Sequence, residues 1–422
     1  MPFEFILFIA MVGVFAACAF AIKLPVSLSM LAASLTGLVL SGNGLGIRHL
    51  VEGTFGYVDT ILVIATAMVF MRAVQESGAL DALNVVIIKR FRTMPAVLLP
   101  LLMLVAMFPG MITGSSSASV LTAGAVVAPV LIILGLPVES AGAFIAMAGI
   151  LGMIAPPVNI PAMIIGGGID MPFVGFELPL LLLTMPLAIV FSLTLGLKHI
   201  KKVSWEELAP RLDLETYKRF GPRLFAPILV VAILMVLGKT VPQYFGMGLP
   251  LVFIIGAALA CFAGKRFNPL KAAKSAVADA LPVLGILAGV GMFIQVMTLT
   301  GVRGFIVVSA LSVPPALLYA AIAITIPMFG AVSSFGASSV LGVPFLLALL
   351  GKNQIITAAA LSLIASLGDF MPPTALSAIF AAQIVGVQKY SRVLKRLIIP
   401  SFVIIAWSLA FIIYSKQIAA LY

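Results

Sequence analysis

Two short runs of hydroxyl and glycine residues interrupt long apolar stretches: Thr113-Gly114-Ser115-Ser116-Ser117-Ala118-Ser119 and Gly330-Ala331-Val332-Ser333-Ser334. Small hydroxyls donate to a carboxylate, and their oxygens ligate a hard cation such as sodium. A proline pair follows each run, Pro156-Pro157 and Pro372-Pro373, with the neutral polar residues Asn159 and Thr374 just beyond. Each proline removes a backbone donor and clashes with the preceding turn, so the pairs break helices. Half-helices left by such breaks offer N-terminal N–H groups to anions, while the freed carbonyls suit a cation. Candidate substrate contacts are therefore Ser115, Ser116, Ser117, Asn159, Ser333, Ser334 and Thr374. Candidate cation ligands, largely through backbone carbonyls, are Thr113, Gly114, Ser116, Pro156, Gly330, Ser334, Asp369 and Pro372. An ionisable group at membrane depth is costly and functional by default. Asp369 completes a cation site, carries a proton, or caps the half-helix that starts at the prolines.

The elements that position these residues follow from composition. Of 422 residues, 62% are hydrophobic and only 9% charged, against about 25% charged in a soluble domain. Segments 180–197, 226–237 and 398–413 hold no Asp, Glu, Lys or Arg. Such runs describe an all-α polytopic membrane protein, and the first 22 residues read as a retained helix because they lack a basic leader and a cleavage site. The net charge of +11 comes from basic residues gathered in a few polar gaps, so nucleic acid is not an expected partner. Cys18 and Cys261 lie in apolar runs, and two histidines make no metal cluster. No phosphate-loop motif is present, so no ATP hydrolysis is expected. A serine hydrolase needs a base near its nucleophile, and His49 and His199 stand at segment ends. The chain is not expected to be an enzyme or to hold a resident cofactor.

Four basic gaps set the topology: 89–92, 198–223, 265–274 and 389–396. All four fall on the cytoplasmic side only if 96–137 and 316–350 enter the membrane and turn back. Ten spans and two re-entrant hairpins result, with both termini outside. The chain then divides into an N-terminal repeat (1–197, broken helix 139–170), a cytoplasmic loop (198–225) and a C-terminal repeat (226–422, broken helix 354–387). Residues Trp205-Glu206-Glu207-Leu208 read as a short surface helix in that loop, and Arg72, Glu76, Asp279, Gln295 and Arg303 as interfacial or interhelical partners. Gly114, Gly152 and Pro156-Pro157 precede Gly330, Gly368 and Pro372-Pro373 by a constant 216 residues. Opposite entry sides make this an inverted-topology repeat, the pattern of secondary transporters. Glycine and serine also line transmembrane interfaces to permit close packing; matched turns in a repeat favour a site.

The runs 110–116 (Gly-Met-Ile-Thr-Gly-Ser-Ser) and 149–157 (Gly-Ile-Leu-Gly-Met-Ile-Ala-Pro-Pro) resemble the large membrane subunit of tripartite ATP-independent periplasmic (TRAP) transporters. Met371-Pro372-Pro373-Thr374 and the run 380–387 echo its second half more loosely. The resemblance implies the ion-transporter superfamily fold, with an elevator-like moving domain. It implies sodium as coupling ion, uptake of a small organic acid such as a C4-dicarboxylate across the bacterial inner membrane, and two partners: a small four-helix membrane subunit and a periplasmic binding protein. By the same resemblance, Gly114–Ser117 with Pro156-Pro157 form one sodium and substrate half-site, and Gly330–Ser334 with Pro372-Pro373 the other. Two departures stand out. The second turn lacks the family's acidic pair, and Asp369 stands where the family is usually apolar. A binding-protein-independent carrier of the same superfamily, coupled to sodium or protons, is the alternative.

Overall fold

Apolar runs without internal charge can satisfy their backbone in lipid only as helices, and every regular element among the described residues is helical. The computed structural model describes residues 2–200, 213–310, 312–372 and 375–421. The segment 205–208, Pro373 and Thr374 lie outside them. Among the described residues eight helices are long and apolar enough to cross a membrane, and six shorter apolar helices accompany them.

Helices Pro95–Thr113 and Ser116–Ile133 are joined by two residues, which forces the second limb to double back as hairpin 1. Ser119 holds the limbs together: its hydroxyl accepts from Gly110 N at 2.7 Å and donates to Met107 O at 3.2 Å. Each limb is long enough to count as a span, so helix length alone would miss the hairpin. Hairpin 2 comprises Pro315–Gly330 and Ser334–Ala348. Broken helix 1 is Val138–Ile154 followed by Ile160–Gly167, and broken helix 2 is Gln354–Phe370 followed by Leu376–Ile384.

The single spacing of 216 residues holds for the broken helices and fails for the hairpins. A Cβ on Gly110 would meet the Gly152 carbonyl carbon at 2.9 Å, and one on Gly330 would meet Gly368 Cα at 2.8 Å. Gly110, not Gly114, thus stands in Gly330's place. The cause lies in the turns: the first limb of hairpin 1 runs on to Thr113, whereas that of hairpin 2 stops at Gly330 and leaves Ala331 and Val332 in the loop.

Two hydrophobic cores form, and they cut across the sequence halves. Both hairpins, both broken helices, Glu177–Gly196 and Ser391–Ile413 share one core, with Trp407 Nε1 donating to Leu183 O at 3.1 Å. The other gathers Phe3–Ala21, Val26–Leu40, Val58–Ser77, Ala226–Thr240, Gly248–Ala263 and the C-terminal part of Pro269–Leu299, and takes Ile112, Ile160, Ile164 and Val343 from the hairpins and the first break. Tyr57 and Ile164 both belong to this second core, the Tyr57 hydroxyl donating to Ile164 O at 3.0 Å. At the basic end of the second core, Lys265 N donates to Ser77 O at 3.0 Å and Lys265 Nζ to Asp213 at 2.8 Å. Burial alone would push the Asp213 carboxyl up, but hydrogen bonds from Lys265 and Thr216 hold it at about 2.

Candidate functional site

The hairpin tips are built by capping. Gly114 closes the first limb with φ +64, a left-handed backbone, and a Cβ there would strike the Ile160 side chain at 2.5 Å. Ser115 then caps the second limb, its Oγ accepting from Ala118 N at 3.3 Å, while Thr113 Oγ1 donates to Pro109 O at 2.7 Å. Ser333 plays the Ser115 part in hairpin 2, accepting from Gly336 N at 3.2 Å. Five residues after each cap the limb opens into a π-helical turn, Val120–Gly124 and Ser338–Gly342. Such turns are rare and occur frequently at functional sites.

The breaks bring the tips together. Ser116 and Ser334, each the first helical residue after its cap, both donate to the buried carboxylate of Asp369. The Ser334 bond is 3.0 Å to Oδ1, and Ser116 reaches Oδ2. Asp369 lies in the last turn of Gln354–Phe370, so it does not cap the following helix. The family resemblance implies one half-site at each turn, and one carboxylate joins the two turns. Leu376–Ile384, after the second break, packs on hairpin 1 and on Val138–Ile154. Its Ser377 hydroxyl is buried, faces the Asp369 carboxyl and lies 3.6 Å from the Cβ position of Gly149.

The other candidates divide into supports and cavity lining. Asn159 is fully buried, its Oδ1 accepting from Ala162 N at 2.9 Å and its Nδ2 donating to Ile154 O and Ser362 Oγ at 3.0 and 2.9 Å. These bonds occupy the amide, so Asn159 braces the break in place of the expected substrate contact. Val158 N, donating to Met111 O at 3.1 Å, ties Pro156 and its break to hairpin 1. Gly330 O packs against Gly368, the residue before Asp369, and Pro372 is exposed.

Thr113, Ser115 and Ser117 line a cavity of about 610 Å³ between the cores. Its other wall carries Arg72, Gln75 and Asp279, from Val58–Ser77 and Pro269–Leu299. Arg72 donates to Ser275 Oγ at 2.8 Å and lies 3.6 Å from Glu76; Asp279 is exposed to the cavity and has no ion pair among the described residues. Arg72 and Asp279 are expected from sequence as interfacial or interhelical partners, and Arg72 does join two helices through Ser275; that both also line a cavity is new. The available signal was their position inside apolar helices rather than at the ends. Arg303 does behave as an interhelical partner, pairing with Asp170 at 3.4 Å. A second cavity, about 440 Å³, lies at the hairpin 2 tip between Ala331, Val332 and the 19–26 turn that carries Lys23.

This arrangement can hold a small anion between Arg72 and the free hydroxyls of one tip. It can hold a hard cation or a proton among Asp369, Ser116 and Ser334. No group of three or more His, Cys, Asp or Glu that could hold a metal ion occurs among the described residues. The sequence matches the family described as "Tripartite ATP-independent periplasmic transporter, DctM component" over residues 11–418. No curated protein matches the chain. Among solved structures it is similar to the YdaH transporter of Alcanivorax borkumensis, whose crystal structure is described as having an unusual topology. The TM-score is 0.63 at 16% identity, covering 88% of this chain and 89% of that one.

Proposed function

The chain belongs to the DctM-component family of TRAP transporters, and from that membership we propose that it carries a small organic acid inward across the bacterial inner membrane, driven by sodium. The carrying observation is the 610 Å³ cavity, which sets an arginine opposite the hydroxyls of a hairpin tip at the seam between two cores. Arg72 receives the substrate carboxylate, and Ser115 and Ser117 donate to it. Asp279 stands on the adjoining helix, and its like charge disfavours a second carboxylate beside it. A monocarboxylate carrying a donor or a positive group therefore fits better than a dicarboxylate. Sodium enters among Asp369, Ser116 and Ser334 and draws the two tips into one geometry. The core that holds the hairpins then slides against the other as an elevator, with both termini periplasmic. A small membrane subunit and a periplasmic binding protein supply the substrate.

Uptake into proteoliposomes under an inward sodium gradient tests the site. Arg72→Gln removes a charged hydrogen bond worth about 1.5–3 kcal/mol, or roughly 10- to 150-fold in uptake efficiency. Unchanged uptake of every carboxylate tried would remove Arg72 from the site. A proton-coupled carrier is the second reading, favoured by the single buried carboxylate between the tips. Asp369→Asn that retains full pH-dependent uptake rejects it.

A further inference from the structure

Another cavity of about 610 Å³, sharing no lining residue with the transport cavity, opens at the basic end of the second core. Arg219, Phe220, Arg223, Phe262, Lys265 and Arg266 are among its lining residues. Only Lys265 is neutralised, by Asp213 at 2.8 Å; among the described residues no acid pairs with Arg219, Arg223 or Arg266. The guanidinium groups of Arg219 and Arg223 both stack on the Phe220 ring, 5.3 and 4.8 Å from its centroid. Stacking holds the two cations on one aromatic ring at the cavity wall. Positive-inside bias explains why basic residues lie on this side. It does not explain why four of them line one concavity.

Apolar surface continues directly from these charges. Phe262 is 84% exposed on the cavity rim, and Leu270 is 81% exposed in the following helix. Leu229, Ile233 and Val236 stand exposed at helical spacing along Ala226–Thr240, which rises from Arg223. A basic concavity at the foot of an exposed apolar stripe complements an amphiphile with a phosphate head and acyl tails. Basic pockets between helices on the cytoplasmic side bind such headgroups.

We propose that this cavity is a binding site for an anionic phospholipid of the inner leaflet, its phosphate held by Arg219, Arg223 and Arg266 and its chains lying along Phe262 and the Leu229–Val236 stripe. Three guanidinium groups with no acid partner among the described residues outweigh one phosphate, so a diphosphate lipid of the cardiolipin kind is the better match. Bound there, it bridges Ala226–Thr240 and Gly248–Ala263 beside the Lys265–Asp213 clasp.

The test uses the delipidated full chain in mild detergent, with thermal unfolding followed as cardiolipin, phosphatidylglycerol, phosphatidylcholine or inorganic phosphate is added. The unfolding midpoint should rise with cardiolipin at the lowest concentration, then with phosphatidylglycerol, and not with phosphatidylcholine or free phosphate. Each basic residue removed should raise the half-effective lipid concentration about fivefold, and Arg219→Gln/Arg223→Gln/Arg266→Gln about a hundredfold. Lys89→Gln/Lys271→Gln/Lys274→Gln loses the same charge outside the cavity and should leave the response intact. If the triple variant does not fold, Arg223→Gln alone must show the fivefold loss. An equal response to phosphatidylcholine, or an equal loss in the lysine control, overturns the site. A response to free phosphate as large as that to lipid reassigns the cavity to a soluble anion and overturns the lipid.

Discussion

Replacing Gly368 with alanine tests whether the second tip is held by backbone packing. A Cβ at 368 would lie 2.3 Å from Gly330 O and 2.4 Å from Gly330 C, whereas ordinary contact begins at 3.4 Å. Those neighbours are backbone, so no rotamer change relieves the clash, and hairpin 2 must retreat by about 1 Å. The Ser334–Asp369 bond, now 3.0 Å, then stretches to about 4 Å and is lost. Overpacking of this kind costs about 1–3 kcal/mol, and a buried polar group left unpaired about 1–3 kcal/mol more. Gly13→Ala is the control: nothing lies within 4 Å of its Cβ position, and alanine in a helix interior is worth up to about 1 kcal/mol. Thermal unfolding in detergent and uptake by proteoliposomes read the two effects separately. Gly368→Ala should unfold well below the parent and transport poorly, while Gly13→Ala unfolds at or above it. A Gly368→Ala protein as stable and active as the control would refute the packing argument.

Asn159→Ala should lower the unfolding midpoint, because a lost cap costs about 0.5–2 kcal/mol and the donors to Ile154 and Ser362 go with it. Asn159→Asp keeps the cap but sets a buried carboxylate against the Ile154 carbonyl, and should unfold no higher than Asn159→Ala. The Asp213–Lys265 clasp gives a pH dependence whose sign is fixed by the lowered carboxyl, at about 2. Its contribution is complete at pH 7, fades below about pH 4 and is gone once the pH falls through the folded value. Asp213→Asn should therefore lie below the parent in midpoint at pH 7 and converge with it in acid; a constant gap down to pH 2 contradicts the clasp.

What the sequence disclosed was the local backbone chemistry. Proline pairs break helices and Gly-Ser runs turn them wherever they occur, so hairpins and breaks were legible from Thr113–Ser119 and from Pro156-Pro157. Partners that depend on packing were not. Nothing in the spacing of Ser116, Ser334 and Asp369 says that one carboxylate receives both hydroxyls. Arg72 and Asp279 became cavity residues only when two helices 200 residues apart in sequence were set side by side with a hairpin tip. Asn159 was within reach of sequence reasoning: an Asn followed by Ile160-Pro161 has the composition of a helix cap, and it caps.

Sodium among Ser116, Ser334 and Asp369 is the central claim, and one comparison meets it without knowledge of the substrate. Thermal unfolding of the purified chain is measured in sodium chloride and in potassium chloride at equal ionic strength, because an ion that binds only the folded state raises its midpoint. The account predicts a higher midpoint in sodium that vanishes in Ser116→Ala/Ser334→Ala. Equal midpoints in the two salts, or a sodium rise untouched by that double variant, would contradict it.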